Sequence, residues 1–326
     1  MSDKKMNRLV ALGVFLVTFI IYMKTLSITV VFWDVGEFCA ASRLLQVPHP
    51  PGSPLFLLIA RIASLIPFLP DIAARMHAVS ALGSAIGILF LYLVTEKLIA
   101  RFHSLETGVD KFVVFGSSAI AALTLAFTTT YWDNAIEAEV YGLAMFFVSI
   151  ILWLALQWWE HADEPHNEKY FLLIAYLLGL STGVHILGLL VALPVMMLYY
   201  FKRYEFSRES FLKFGLIAVP VFFIIYPGIV QFIPSMLDGD VKLPLIGNIP
   251  ETGKSEILPY IPLCVLLLLC YFAYDSYHKK QKMLHVACLS FLFIVIGYTT
   301  YSQVLIRANV DNLPMKENNP NILERL

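Results

Sequence analysis

Long apolar runs separated by short polar segments dominate the chain as far as about residue 305. An α-helix rises ~1.5 Å per residue, so about 20 consecutive apolar residues cross the hydrocarbon core of a bilayer. Such runs predict nine membrane-spanning helices, at residues 8–26, 76–99, 111–131, 138–159, 170–184, 186–201, 211–233, 258–276 and 284–305. The first run lacks the small-residue cleavage site of a signal peptide, and we expect it to be retained. The pattern therefore predicts an all-α polytopic membrane protein.

Two apolar stretches do not read as single spans. The stretch 170–201 is too long for one helix, and the glycines around His185 near its middle predict a tight turn at 182–186. The stretch 54–70 is short and contains Pro67 and Pro70, which interrupt helices. We expect it to form a half-inserted or interfacial helix. The domain prediction is a transmembrane module at 1–305 followed by a polar, non-cytoplasmic segment at 306–326.

Composition and charge agree with a membrane protein. Hydrophobic residues make up 59% of the chain and charged residues 14%, whereas soluble domains are about a quarter charged. The net charge of -1 gives no reason to expect nucleic acid as a partner. The four cysteines read as small core residues and not as a disulfide or metal framework.

The distribution of basic residues predicts the orientation, because cytoplasmic loops are enriched in Lys and Arg. With the N-terminus inside and the C-terminus outside, the predicted cytoplasmic segments hold more than half of the 23 basic residues. These are Lys4, Lys5, Arg8, Lys97, Arg101, Lys111, Lys169, Lys202, Arg203, Arg208, Lys213, Lys279, Lys280 and Lys282.

The first predicted outside loop carries an acidic pair, Asp34 and Glu37, at the exit of the first span. From Val35 to Leu45 the apolar positions fit an amphipathic helix lying along the interface. Asp34 with Glu37 three residues later is close to a capping box, in which both side chains satisfy backbone N–H groups. Alternatively, Asp34 is a general base that faces a cleft at the membrane surface. The local sequence leaves both readings open.

The same loop continues into a rigid His49-Pro-Pro-Gly52 element. Two prolines fix the backbone, and Gly52 allows a sharp turn into the next helix. His49 is either a polar anchor at the interface or a contact for a phosphate or a substrate hydroxyl.

The second predicted outside turn places Asp133, Glu137 and Glu139 at the head of the fourth span. Acidic side chains at a helix N-terminus gain ~0.3–1 kcal/mol from the helix dipole. Ionisable groups in a span commonly mark a site or a pathway instead. Because these residues lie at the membrane boundary, both interpretations hold.

Two further polar residues flank outer helix ends. His185 is either a hydrogen-bonded packing residue or a site residue, and Arg307 either snorkels to the interface or grips a lipid phosphate through bidentate hydrogen bonds. The arginines at positions 43, 61 and 75 lie around the first loop. Basic residues on an outer surface run against the orientation bias and favour an anionic ligand.

Taken in order, these motifs resemble a known family. The acidic pair heading an interfacial helix, Pro50-Pro51, Pro54-Leu-Phe-Leu-Leu and Ala73-Ala-Arg75 are similar to the GT-C superfamily of glycosyltransferases, especially the protein O-mannosyltransferases and lipid A aminoarabinose transferases. Within that group, four motifs resemble the bacterial relatives of transmembrane protein 260, a protein O-mannosyltransferase. They are Trp33-Asp-Val-Gly-Glu37-Phe, His49-Pro-Pro-Gly-Ser-Pro-Leu-Phe, Glu137-Ala-Glu-Val-Tyr141 and Gly179-Leu-Ser-Thr-Gly-Val-His185.

The resemblance implies an inverting transfer of a sugar, mannose in the mannosyltransferases, from a polyprenyl-phosphate donor to a Ser or Thr hydroxyl of an acceptor protein. Asp34 matches the catalytic base, and Glu37 would orient the acceptor or tune Asp34. Residues His49, Glu137, Glu139 and His185 match family motifs and are expected to bind substrate or donor, while Arg307 is expected from position and chemistry to clamp the phosphate. No cofactor or metal is expected, since basic side chains can offset a single phosphate.

The resemblance also implies a location and a length. The active site would face the periplasm or outside of a bacterial inner (plasma) membrane, among membrane lipids. Many relatives carry a soluble outer domain after the membrane module, and we expect this chain to be shorter than they are.

Two other functions compete with a transferase. A transporter or flippase for a lipid-linked sugar would place ionisable residues at mid-bilayer on several spans, and a non-catalytic binder of such lipids would not need Asp34. The sequence gathers its ionisable residues at the outer helix ends, which favours an outer-face enzyme. Nucleotide-binding and zinc-protease motifs do not occur in it.

Overall fold

The computed structural model describes residues 2–243, 247–249 and 253–323. The α-helices, in chain order, are α1 (Asp3–Lys24), α2 (Val35–Leu44), α3 (Pro54–Leu65), α4 (Ile72–Ile99), α5 (Gly108–Ala126), α6 (Thr129–Ile136), α7 (Val140–His161), α8 (Glu168–Thr182), α9 (Ala192–Arg203), α10 (Arg208–Phe223), α11 (Ile233–Asp238), α12 (Tyr260–His278), α13 (Lys282–Tyr298) and α14 (Ser302–Ala308). Ile186–Val191 and Thr299–Tyr301 are 3-10 helices, and Ile224–Phe232 is a π-helix. A two-stranded antiparallel pair, β1 (Val241–Leu243) and β2 (Gly247–Ile249), completes the described elements.

The predicted all-α polytopic membrane fold is confirmed. Among the described residues, eight helical stretches are long and apolar enough to cross a membrane. The remaining predicted span, 170–184, forms α8, which has 15 residues and falls below that length. The predicted break is present, since α8 ends at Thr182 and the 3-10 helix begins at Ile186. Helix α3 has 12 residues, in agreement with a segment too short to cross.

The predicted third span, 111–131, is wrong at its end. Helix α5 stops at Ala126, and the chain becomes extended at Thr128 before the separate helix α6. Three threonines in succession, at 128–130, lower helix propensity because β-branched side chains are restricted and hydroxyls compete for backbone groups. The second outside turn is therefore a short helix and not a simple loop. Of the predicted C-terminal segment 306–326, the last three residues lie outside the described part.

The chain divides into two compact units. The first comprises Met1–Leu45 and Leu55–Gln157, and the second comprises Gln46–Pro54 and Trp158–Leu326.

In the first unit, α4 packs against α1, α5 and α6. Its core is rich in alanine, which allows the helices to approach closely. Tyr22 is fully buried and its hydroxyl donates to the carbonyl of Ala126 at 2.8 Å, which ties α1 to the end of α5. At the opposite ends of these helices, Lys111 and Asp3 form an ion pair of 2.8 Å.

Small residues also bring α4 and α7 together. A Cβ added at Gly142 would lie 2.1 Å from the Ser84 hydroxyl, and one at Gly83 would lie 3.2 Å from the Cα of Leu143. This is the close backbone approach that small residues permit between membrane helices. The start of α7 is thereby fixed against the middle of α4.

In the second unit, α13 packs against both α8 and α12. The contact between α8 and α13 depends on two glycines, because a Cβ on Gly179 would lie 2.1 Å from the Ile294 carbonyl oxygen and one on Gly297 would lie 2.5 Å from the Leu180 nitrogen. At the start of both helices, Lys282 and Glu168 pair at 2.7 Å. Gly179 of the motif noted in the sequence therefore has a packing role.

The long span Arg208–Asp238 of the second unit changes helical geometry part-way. Pro220 lies inside α10 and Pro227 inside the π-helix. Proline removes a backbone donor and clashes with the preceding turn, so a wider helical turn accommodates it. Tyr298 of α13 donates to the carbonyl of Val230 at 3.1 Å and satisfies one of the carbonyls in the widened region.

Many apolar side chains remain exposed on the outer faces of the helices. Leu12 and Ile20 of α1 are 47% and 49% exposed, and Leu216 of α10 is 76% exposed. Exposing such surface to water would cost about 25 cal/mol per Å². Lipid removes that cost, so these faces fit an integral membrane protein.

Candidate active site

The first unit contains an acidic cleft of about 280 Å³. The lining residues come from the turn before α2, from α6, from the link between α6 and α7, and from the start of α7. They are Trp33, Asp34, Asp133, Asn134, Glu137, Glu139 and Tyr141. The structure thus brings the first predicted outside loop and the second predicted outside turn together.

Asp34 stands at the N-cap position of α2, yet its side chain makes no capping hydrogen bond to that helix. Only the backbone of Asp34 takes part in the helix, since its carbonyl accepts from the N–H of Phe38 at 2.8 Å. The capping-box interpretation of Asp34 and Glu37 is therefore wrong. The carboxylate oxygens of Asp34 and Glu37 lie within 4.8 Å of each other, and Asp34 lines the cleft.

Trp33, directly before Asp34, has an unusual conformation. Its φ is +64°, in the left-handed region that bulky residues seldom adopt, and its side chain is 92% exposed. The backbone turn at Trp33 aims consecutive side chains, Trp33 and Asp34, at the same cleft.

Helix α6 holds the acidic turn against α1 and α4. Tyr131 donates to the carbonyl of Ser84 at 3.0 Å, and burial raises the pKa of its hydroxyl, which keeps the proton on the donor. Trp132 donates its indole N–H to the Thr25 hydroxyl at 3.0 Å, and the N–H of Ser27 donates to the carbonyl of Ile136 at 3.1 Å. These two bonds join the chain just after α1 to the second outside turn.

Glu139 is positioned by α4. The Ser80 hydroxyl donates to the Glu139 carbonyl at 2.8 Å and accepts from the Glu139 N–H at 3.1 Å. Glu139 is only 8% exposed, although it lines the cleft. Burial removes water from the Glu139 carboxylate, so protein contacts have to replace its solvation. A backbone fixed by Ser80 holds the carboxylate in place for such contacts.

Asp133 and Glu137 act on one another electrostatically. Burial, and then the nearby Asp133 carboxylate, raise the pKa of Glu137 above the ordinary range. A glutamate with a raised pKa holds a proton more readily and can donate a hydrogen bond as well as accept one.

His49 belongs to the second unit and lies in a loop held by hydrogen bonds. The N–H of Gly52 donates to the His49 carbonyl at 2.9 Å, and the Ser53 hydroxyl donates to the Val184 carbonyl at 2.9 Å. Val47 pairs with Lys316 in a parallel bridge. A hollow of about 20 Å³ between this loop and the C-terminal segment has room for about one water molecule and for no substrate.

His185 caps the 3-10 helix that follows α8. Its Nδ1 accepts from the N–H of Leu187 at 3.1 Å, so the packing role weighed from the sequence is present. Burial lowers the pKa of His185, which favours the neutral ring. The turn is tied to the C-terminal helices as well, since Tyr301 donates to the carbonyl of Thr182 at 3.1 Å.

Arg307 lies in the last turn of α14 and is partly buried. Two other outer arginines bond to backbone carbonyls. Arg75 donates to the carbonyls of Leu69 at 2.6 Å, Ser64 at 3.2 Å and Pro70 at 3.1 Å. Arg61 donates to the carbonyl of Arg43. These bonds give Arg61 and Arg75 a structural role.

Residues 34–208, more than half of the chain, match the family model of the N-terminal domain of protein O-mannosyl-transferase TMEM260. The chain belongs to this family. The match to the TMEM260 family begins at Asp34 and includes most of the predicted site residues, while Arg307 lies beyond it. The site residues inside the match are Asp34, Glu37, His49, Glu137, Glu139 and His185.

Two curated relatives of the TMEM260 family match at low identity. The mouse (Mus musculus) protein O-mannosyl-transferase TMEM260 is 27% identical over 187 residues, which cover 56% of this chain and 25% of the mouse protein. The Dictyostelium discoideum protein of that name is 27% identical over 155 residues, 46% of this chain and 17% of the relative. The chain therefore spans about a quarter or less of the relatives it matches. No solved structure gives a significant match.

Sequence reasoning left Trp33, Ser80 and Asp133 out of the predicted site. Asp133 lies in α6 and Glu137 directly follows that helix, so recognising where α6 ends would have brought the two carboxylates together. For Ser80, the chain carries no local signal, because its bond to Glu139 joins residues 59 positions apart.

Proposed function

We propose that this chain is the membrane module of a GT-C type protein O-mannosyltransferase. It would transfer a mannosyl group from a polyprenyl-phosphate donor to a Ser or Thr hydroxyl of an acceptor protein, with inversion at the anomeric carbon. The observation that carries the proposal is the cleft of the first unit, which Asp34 lines together with Asp133 of α6 and with Glu137 and Glu139 of the link between α6 and α7. The names of the curated relatives and the family match support the same reaction class.

Asp34 acts as the general base in this mechanism. It removes the proton from the acceptor hydroxyl while the hydroxyl oxygen forms a bond to the anomeric carbon of mannose. The bond between that carbon and the phosphate oxygen breaks, and the lipid phosphate leaves with the electron pair. The position of Asp34 in the lining of the cleft supports this role.

Glu37 positions the base. Its carboxylate lies within 4.8 Å of the Asp34 carboxylate, close enough to accept a hydrogen bond from a hydroxyl that approaches Asp34. Glu137 and Glu139 are proposed to bind the hydroxyl groups of the substrate, because both line the cleft.

The remaining residues are proposed to bind the donor. Arg307 carries a guanidinium that can hold a phosphate by two parallel hydrogen bonds, while His49 and His185 offer ring nitrogens to phosphate or sugar oxygens. Donors with one phosphate need no metal if basic side chains offset the charge, so the proposed reaction runs without one.

The reaction is proposed for the outer side of the membrane, the periplasmic face of a bacterial inner membrane. The support is the enrichment of Lys and Arg in the segments predicted to be cytoplasmic. Contacts inside the units agree with alternating loops. Asp163 pairs with Arg203 at 2.9 Å, both in segments predicted inside, and the N–H of Ser27 bonds the carbonyl of Ile136, both in segments predicted outside.

The test is transfer of radiolabelled mannose from polyprenyl-phosphate-mannose to acceptor protein by the full chain in lipid nanodiscs. We expect Asp34→Asn to lower the rate at least about a hundredfold, the usual contribution of a positioned base, with donor binding unchanged. Glu209→Gln is the matched control, because Glu209 is an exposed carboxylate paired with Lys213 on α10.

The outcomes separate the competing functions. Equal transfer by wild type and Asp34→Asn would remove Asp34 as the base. Donor binding without transfer by the wild type would indicate a non-catalytic binder. Movement of the lipid-linked sugar across the bilayer, with no sugar reaching protein, would identify a flippase.

A further inference from the structure

Packing against the rest of the protein does not explain the position of the Trp33 side chain. The side chain is 92% exposed, and the residue adopts a left-handed backbone that disfavours large side chains. Strained residues that persist in a fold cluster at ligand sites, where the conformation serves an interaction. Here the conformation places an indole on the wall of the cleft, beside Asp34.

The chemistry of the cleft selects a neutral, hydroxyl-rich ligand. Four of its lining residues are carboxylic acids, and one is an amide, Asn134. None of the described residues that line it is basic. Hydroxyl groups can donate to carboxylate and amide oxygens, and none of the described lining residues would attract the donor phosphate into the cleft.

The size of the cleft points the same way. At about 280 Å³ it lies near the lower end of the range for small-molecule sites, which is about 300–1,000 Å³. That volume suits one sugar ring and leaves no room for a polyprenyl chain. Sites for such ligands combine aromatic surface with a few placed polar groups, and this cleft has both.

We propose that Trp33 is the stacking platform for the transferred mannose ring, and this rests on the proposed function. The C–H groups on one face of a pyranose carry partial positive charge and lie over the negative face of the indole. The carboxylates and Asn134 then bind the hydroxyl groups at the ring edge. In this arrangement Trp33 sets the position of the sugar beside Asp34.

An exposed tryptophan in a membrane protein can instead anchor the chain at the lipid interface. Phe32 separates the two roles. It precedes Trp33 and is 89% exposed, but it does not line the cleft. Anchoring would make the two aromatic residues equivalent, whereas stacking on sugar requires Trp33 alone.

The experiment compares Trp33→Ala, Trp33→Phe and Phe32→Ala in the full chain in nanodiscs. We expect Trp33→Ala to raise KM for polyprenyl-phosphate-mannose about tenfold, with a smaller change in kcat. Trp33→Phe keeps an aromatic face and should stay within about threefold of wild type. Phe32→Ala should match wild type. An unchanged KM in Trp33→Ala, or equal defects in Trp33→Ala and Phe32→Ala, would overturn the proposal.

A second readout does not depend on transfer. Methyl mannoside, a sugar without phosphate, should change the tryptophan fluorescence of the wild type, and that change should be absent in Trp33→Phe. A signal that persists in Trp33→Phe, or none in the wild type, excludes stacking on Trp33. If the wild type transfers no mannose but this signal is present, the transferase proposal fails while the sugar platform stands.

Discussion

The Ser80 hydroxyl and the Glu139 backbone are joined by two reciprocal hydrogen bonds, of 2.8 Å and 3.1 Å. Ser80 lies inside α4, and Glu139 is the residue before α7 begins. A residue in the middle of one helix therefore fixes where another starts. It also sets the backbone from which Glu139 reaches the cleft.

Ser80→Ala should destabilise the protein by about 1–3 kcal/mol, because the buried Glu139 carbonyl loses a hydrogen-bond donor. The measurement is the midpoint of thermal unfolding in detergent. Ser117→Ala is the control, since Ser117 is exposed and its hydroxyl bonds only within α5. Equal midpoints for the two variants would show that the bond to Glu139 contributes nothing.

Gly179→Ala should be more damaging than an ordinary helix substitution. The added methyl would lie 2.1 Å from the Ile294 carbonyl oxygen, and the backbone of α13 cannot move aside as a side chain could. We expect a loss of about 1–3 kcal/mol from overpacking. Gly116→Ala on α5 meets no atom within 4 Å and should be neutral or stabilising. The measurement is the thermal unfolding midpoint of each variant. An unchanged midpoint for Gly179→Ala would contradict the close contact of α8 with α13.

Glu137 should make stability depend on pH in a defined direction. Its pKa is raised in the folded protein, so folding is favoured when the group is protonated. That contribution is complete below the ordinary glutamate pKa and is lost as pH rises through the folded value. Glu137→Gln should therefore be more stable than wild type near about pH 8, with the difference shrinking towards about pH 4.

The pH experiment needs unfolding midpoints for both proteins across that range. Glu209→Gln, at an exposed position, should leave the pH profile of the wild type unchanged. A constant offset between Glu137→Gln and wild type at every pH would rule out the linkage.

The C-terminal segment should order the loop that carries His49. Val47 donates its N–H to the Met315 carbonyl at 3.2 Å, and its own carbonyl accepts from the N–H of Glu317 at 3.0 Å. Truncation after Pro314 removes both bonds and should accelerate hydrogen exchange at the amides of Val47, His49 and Gly52. Truncation after Leu323 keeps both and should leave exchange there unchanged. Equal exchange in the two truncated proteins would mean that the loop is ordered without the segment.

Individual helices were largely predictable because each depends on its own residues. The length and apolarity of a run determine whether it can cross lipid, and this information is local. The break between α8 and the next helix was predicted from the glycines around His185. The end of α5 was missed because the threonines at 128–130 are still apolar enough to extend a hydropathy run, although the backbone turns there.

The candidate site was predictable only in its outline. The acidic pair and the acidic turn stood out in the sequence because carboxylates are rare beside membrane helices. Whether Asp34 caps α2 or lines a cleft depends on the backbone angles around it, which the sequence left open. The structure decides against the cap and places Asp34 in the cleft with Trp33.

The sequence by itself determined the class of this protein, the approximate positions of its spans and the family to which it belongs, because hydropathy and short motifs are local properties. Tertiary structure alone decided which loops meet. The bond from Ser80 to Glu139 and that from Trp132 to Thr25 join residues 59 and 107 positions apart. Such pairs form when small residues let helices approach closely, a consequence of packing that no single segment of the chain specifies.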